Sequence, residues 1–120
     1  MQAINIQSTE DTPQVILDSS TNKFELSGRS LPEDAAEFYQ PILDWLDSYS
    51  ESPNSETIFE VKLEYFNTAS SKLILDVLTK LEEIENSVIH WYYYEDDEDM
   101  EEAGEEFSEL IDVEFVLKEF

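Results

Sequence analysis

The residues with the clearest capacity for chemistry are those at positions 65–72, Tyr-Phe-Asn-Thr-Ala-Ser-Ser-Lys. Three aliphatic hydroxyls (Thr68, Ser70 and Ser71) stand between an amide, Asn67, and a cation, Lys72, with no glycine among them. Apolar spacing is strand-like before this stretch and helical after it. Two chemistries suit hydroxyls at such a junction. One is capping: a side-chain oxygen satisfies an orphan backbone N–H of the helix, worth about 1 kcal/mol, with Thr68 at the N-cap or just before it. The other is phosphate acceptance. A phosphate on Thr68 would carry a charge of about −1.5 to −2. It would sit at the positive end of the helix, near free N–H groups, with Lys72 one turn on. Spacing alone favours the cap.

The elements that must position this junction follow from periodicity. Residues 12–18 read as a short strand and residues 23–27 as a second, with Phe24 and Leu26 on one face and Lys23 and Glu25 on the other. Ser19-Ser20-Thr21-Asn22 is turn chemistry, so the two form a hairpin that Gly28-Arg29-Ser30 ends. Leu31-Pro32-Glu33-Asp34 reads as a helix start. Ala35, Phe38 or Tyr39, Ile42, Leu46 and Tyr49 then recur at helical spacing. An interior proline costs about 3 kcal/mol, so Pro41 predicts a kink or a fresh start. Residues 57–66 give the clearest strand, with Phe59, Val61, Leu63 and Tyr65 facing one way and Glu60, Lys62 and Glu64 the other.

Beyond the junction, Ile74, Val77, Leu78, Leu81 and Ile84 form a helical apolar stripe that Asn86-Ser87 closes. Residues 88–94 are β-branched and aromatic, a strand with Trp91 and Tyr93 on the core face of Ile89 and with His90, Tyr92 and Tyr94 on the wetter face. Residues 95–106 hold nine acids, and their later part leads into a helix through Phe107, Leu110 and Ile111. Val113, Phe115 and Leu117 alternate as a last strand. The order is β-β-α-β-α-β-α-β. It predicts a small α/β domain with a mixed sheet whose helices lie mainly on one face, since clean alternation is unlike a sheet buried on both sides. One domain over 1–120 is expected, with 1–11 as a flexible or weakly ordered N-terminus.

Composition narrows the function. The 120 residues carry a formal charge of −24, with only six Lys and Arg. That excludes a basic face for nucleic acid and disfavours anionic membrane surfaces. It suits basic protein partners, approached through electrostatic steering. No cysteine is present, which removes disulfides, thiolate zinc sites and cysteine nucleophiles together. The first residues lack a basic region and an apolar run, so a cytoplasmic location is expected. His90 is the one histidine, and mid-strand it reads as a sheet-face residue. No nucleophile elbow, Walker loop, dinucleotide loop or HExxH is found. The acidic run lacks the alternating ligands and central glycine of an EF-hand. No enzyme activity, cofactor or metal site is expected.

Tyr65-Phe66-Asn67-Thr68-Ala69-Ser70-Ser71-Lys72, followed by an apolar helix, resembles the Y-[LF]-N-T-[SA]-S-x-K signature of SiaC-type regulatory phosphoproteins of bacteria. Three further segments agree. Ser27-Gly28-Arg29-Ser30-Leu31-Pro32-Glu33 is similar to the family's approach to the first helix. Ile42-Leu43-Asp44-Trp45-Leu46 is similar to its "IDW" helix, and Trp91-Tyr92-Tyr93 to its "WYY" strand. Glu105-Glu106-Phe107 in the acidic helix also fits. The resemblance runs from about Thr12 to the C-terminus. It implies a fold similar to the STAS domain of anti-sigma-factor antagonists and no catalysis. It also implies a junction threonine phosphorylated by a cognate protein kinase and dephosphorylated by a PP2C-type phosphatase. In the best-known branch the unphosphorylated protein activates a diguanylate cyclase, raising cyclic di-GMP and promoting aggregation or biofilm. The motif carries the threonine onto Thr68, with Asn67, Ser70, Ser71 and Lys72 as the surrounding partner surface. The rival expectation, from charge alone, is a constitutive acidic decoy in a basic cleft of a partner.

Overall fold

A computed structural model describes residues 2–120. Six strands and three helices follow in the order β1 (Ile4–Ile6), β2 (Gln14–Asp18), β3 (Lys23–Ser30), α1 (Ala35–Tyr49), β4 (Thr57–Phe66), α2 (Thr68–Lys80), β5 (Ser87–Tyr93), α3 (Glu98–Leu110) and β6 (Glu114–Glu119). One 3-10 turn, Leu81–Glu83, extends α2. The strands form a single sheet in sequence order, antiparallel from β1 to β3 and parallel from β3 to β6. β1 is an element the sequence reading did not assign. It is three residues long and completes one edge by pairing with β2.

The expected two-layer arrangement holds. Phe24 and Leu26 of β3, Phe59, Val61 and Leu63 of β4, and Ile89 and Trp91 of β5 are buried on one face. The helices bury Tyr39, Ile42, Leu46, Ile74, Leu78 and Phe107 in the same core. Phe24 packs edge-on against Trp45 of α1, and Trp91 packs on Phe107 of α3 at 5.3 Å between ring centroids. The opposite face is open and carries an ion network. Lys23 contacts Glu60 at 3.0 Å, Lys62 contacts Glu25 at 3.2 Å, and the Tyr92 hydroxyl donates to Glu60. Partial burial pushes the Glu60 carboxyl up, but the Lys23 hydrogen bond and the charges of Lys62 and Lys23 outweigh it and hold the group below its usual value.

Four local expectations are corrected. Gly28 does not end β3. At φ +102 it takes a backbone conformation suited to glycine, and the strand continues through an irregularity between Gly28 and Arg29. There Gly28 pairs with Leu63 and Arg29 with Tyr65, leaving Glu64 as the extra residue of a bulge. The bulge inverts the alternation of β4: Tyr65 turns outward, 47% exposed, and Phe66 turns in against Trp91 and Phe107. Pro41 causes no break, because α1 is continuous from Ala35 to Tyr49. Pro41 and Glu37 are both exposed, so the carbonyl that loses its donor faces water. Finally, most of the acidic run is α3 itself, capped by Asp97, with Leu110 64% exposed. Gly104 lets this helix lie close to the sheet: a Cβ there would stand 2.6 Å from Trp91 Cδ1 and 2.7 Å from Leu117 Cδ2.

Candidate functional site

β3 and β4 run parallel and deliver α1 and α2 from the same end of the sheet. The bulge in β4 plants Phe66 in the core, and the next residue turns the chain. Asn67 donates its N–H to the Ser30 carbonyl at 3.0 Å, tying the turn to the end of β3. Its side-chain oxygen accepts from the Ser70 N–H at 2.9 Å, and its carbonyl accepts the first intrahelical bond, from Ser71. Asn67 is therefore the N-cap of α2. Thr68 is the first residue of the helix, not its cap. It is exposed, and its own N–H and that of Ala69 lack an intrahelical acceptor.

The remaining residues of the motif divide by burial. Ser70 is fully buried, which corrects its expected place on a partner surface. Its hydroxyl donates to the Ser30 carbonyl at 3.0 Å and accepts from the Ser30 hydroxyl at 2.8 Å. The Ser30 hydroxyl in turn lies 2.6 Å from that of Tyr39. With Ser30 donating to Ser70, Tyr39 must donate to Ser30. Burial pushes the Tyr39 phenol up to about 12, against the opposing effect of the Ser30 hydrogen bond. This chain of hydroxyls joins β3, α1 and α2 beneath Thr68. Of its members, Ser30 stands in a motif segment but gave no signal of its role, and Tyr39 read only as a core position. Ser71 is half-buried and Lys72 exposed.

Thr68 and Lys72 lie on a ridge between two grooves. The larger, about 1130 Å³, runs between the starts of α1 and α2. Ala35, Ala36, Phe38, Ala69 and Leu73 are its apolar lining, and Glu33, Asp34 and Glu37 its acidic wall. The smaller, about 380 Å³, runs between α2 and α3 and is lined by Leu75, Phe107, Leu110 and Glu106. Among the described residues Lys72 is the one basic side chain lining either. His90 lies on the open face, in register with Glu60 and Val116 and far in sequence from the junction. Among the described residues no group of His, Asp and Glu side chains is arranged to hold a metal ion. What the site offers is an exposed hydroxyl, that of Thr68, in the middle of a contoured, carboxylate-rimmed surface.

The match to known proteins falls on this whole arrangement. The model of the SiaC family of regulatory phosphoproteins matches residues 6–120. The chain belongs to that family. An uncharacterised protein of Pseudomonas aeruginosa strain UCBPP-PA14 is 27% identical over 122 residues, spanning 98% of this chain and 97% of its own. Two solved structures are similar throughout. Apo-SiaC of Pseudomonas aeruginosa superimposes with a TM-score of 0.88 at 27% identity, covering 98% of this chain and 99% of its own. SiaC from the same organism, solved with the diguanylate cyclase SiaD that it activates, gives 0.90 at 26% identity over the same shares. The small α/β fold and the family read from the Tyr65–Lys72 motif are thus both confirmed. No helix of the described residues is long and apolar enough to cross a membrane.

Proposed function

We propose that this SiaC-family regulator is a non-catalytic, cytoplasmic partner-switching protein whose state is set by reversible phosphorylation of Thr68. In the unphosphorylated form the ridge of Thr68, Ser71 and Lys72, with the grooves on either side, docks on an effector. By analogy with the relative solved with SiaD, that effector is a diguanylate cyclase, activated on binding and raising cyclic di-GMP to promote aggregation or biofilm. A cognate kinase adds the phosphate and a PP2C-type phosphatase removes it.

The observation that carries this reading is the division of labour at the junction. Asn67 caps the helix and Ser70 ties it to the core, so Thr68 is exposed with no hydrogen bond to either. Its modification therefore leaves the fold intact. The helix start offers the phosphate two unengaged N–H groups and, one turn on, Lys72. The same phosphate is incompatible with close packing of a partner. Burying it without compensating contacts costs several kcal/mol, and Glu33, Asp34, Glu37 and Glu106 add no positive charge to receive it.

The test is capture of partners from lysate of the native cell by wild type, Thr68→Ala and Thr68→Glu. A cyclase retained by the first two and lost by the third supports the switch. Identical partners on all three baits count against it. The rival reading, a constitutive acidic decoy, predicts instead that charge reversal within 95–106 abolishes binding while changes at Thr68 do little.

A further inference from the structure

The sheet has two edges, and they are not alike. β1 is only three residues long. β6 is six residues long, contains no proline, and pairs with β5 over all six positions without a register shift. Phe120 donates its N–H to the Tyr93 carbonyl at 3.0 Å. Backbone alternation then turns the N–H and C=O groups of Phe115, Leu117 and Glu119 away from β5. Among the described residues no strand pairs with that outer edge. Such an edge is a template for a further strand, and proteins usually blunt it by shortening, a bulge, proline or charged side chains such as lysine. β6 has none of the first three, and its exposed charges are Glu114, Lys118 and Glu119.

Charge says what kind of strand fits. On the helix side of the edge, Tyr93 and Glu119 are in register. Gly104 lies close to Leu117, so α3 packs beside this edge with its Glu101 and Glu105, and desolvation together with the carboxylates of Glu101, Glu119 and Glu105 pushes the Tyr93 phenol up. On the open side the edge presents Glu114, Val116, Lys118 and Phe120, with Lys118 over the Tyr92 ring and an aromatic cluster of Tyr92, Tyr94 and Phe120, the last two stacked at 4.4 Å. A second copy of this chain carries the same formal charge of −24, which opposes edge-to-edge pairing.

We propose that the outer edge of β6 is a docking site for an extended strand of a partner protein, with Lys or Arg facing the acidic rim and apolar side chains facing Val116 and the aromatic cluster. Backbone hydrogen bonds to Phe115, Leu117 and Glu119 supply the pairing, and alternate side chains supply the selectivity. The surface is separate from the Thr68 ridge, so the chain can hold one partner by its edge while the ridge is switched.

The experiment is an anisotropy titration of the full chain with a fluorescent peptide of roughly eight alternating Lys and Val residues. A second peptide has the same sequence with N-methyl groups along one backbone edge. The parent peptide is expected to bind at one-to-one stoichiometry and to slow amide exchange at Leu117 and Glu119. N-methylation, or Glu119→Pro beside a Glu119→Gln control, is expected to weaken binding about tenfold through lost backbone hydrogen bonds. Thr68→Glu is expected to leave peptide binding unchanged, whatever it does to effector capture. Equal binding of the N-methylated peptide would reduce the effect to general attraction to an acidic surface and overturn the proposal. Unchanged exchange at Leu117 and Glu119 at saturation would overturn it too. So would a dimer in sedimentation that Glu119→Pro dissociates, since the edge would then belong to a second copy.

Discussion

If Asn67 is the cap and Thr68 the switch, the two side chains must differ sharply in what their removal does to stability. Asn67→Ala deletes the 2.9 Å bond to the Ser70 N–H. Cap deletions of this kind cost about 1 kcal/mol, within a range of roughly 0.5–2. The upper half of the range is expected here, because the freed N–H belongs to fully buried Ser70, whose hydroxyl is committed to Ser30. Thr68→Ala deletes an exposed hydroxyl with no protein hydrogen bond and puts a better helix former at the first helical position, so a change within about 0.5 kcal/mol is expected. Urea unfolding of wild type and both variants, followed by circular dichroism, reads the difference as a shift of midpoint at constant slope. For a domain of this size 1 kcal/mol corresponds to roughly 4 °C in melting temperature, an independent check. Equal destabilisation by the two substitutions would return Thr68 to a capping role and refute the division of labour.

Other expectations follow from the same structure. Gly104→Ala should destabilise by about 1–3 kcal/mol, since the new methyl meets Trp91 and Leu117 and α3 must lift; Trp91 fluorescence should shift with it. Ser70→Ala should cost about 1–3 kcal/mol in urea unfolding by leaving the buried Ser30 hydroxyl proton without its acceptor, whereas Ser71→Ala should be close to neutral. The raised Tyr39 group gives a pH dependence. The unfolded phenol ionises near 10 and the folded one near 12, so the stability tied to it is full below pH 10 and is lost as pH rises towards 12. Tyr39→Phe should flatten the fall in urea midpoint over that window, and an unchanged slope would contradict the buried hydroxyl chain.

Much of the fold was legible because its strands alternate and its helices carry apolar stripes, each matched to one buried layer. The exceptions are local and have physical causes. Strict alternation puts Tyr65 in the core, but the bulge at Glu64 exchanges it with Phe66, and a bulge leaves no mark in a hydrophobicity pattern. Gly28 read as a terminator because a glycine with positive φ serves a turn and a bulge equally well. Pro41 read as a helix breaker because exposure of the freed carbonyl is not visible in sequence. At the site, the motif located the junction, but two neighbouring cap formers, Asn67 and Thr68, leave the cap ambiguous by one residue. The burial of Ser70 and its link to Ser30 and Tyr39 depend on a contact across forty positions that no local pattern encodes.

The central claim is that a phosphate on Thr68, and no change of fold, decides whether the effector is held. Its most direct test is a titration of the captured cyclase with two preparations of the chain, one unmodified and one phosphorylated at Thr68, reading both affinity and cyclic di-GMP production. The account predicts tight binding and activation by the unmodified chain. The phosphorylated chain should bind at least about tenfold more weakly, with no activation and an unchanged circular dichroism spectrum and urea midpoint. Equal affinity and equal activation by the two preparations would contradict it.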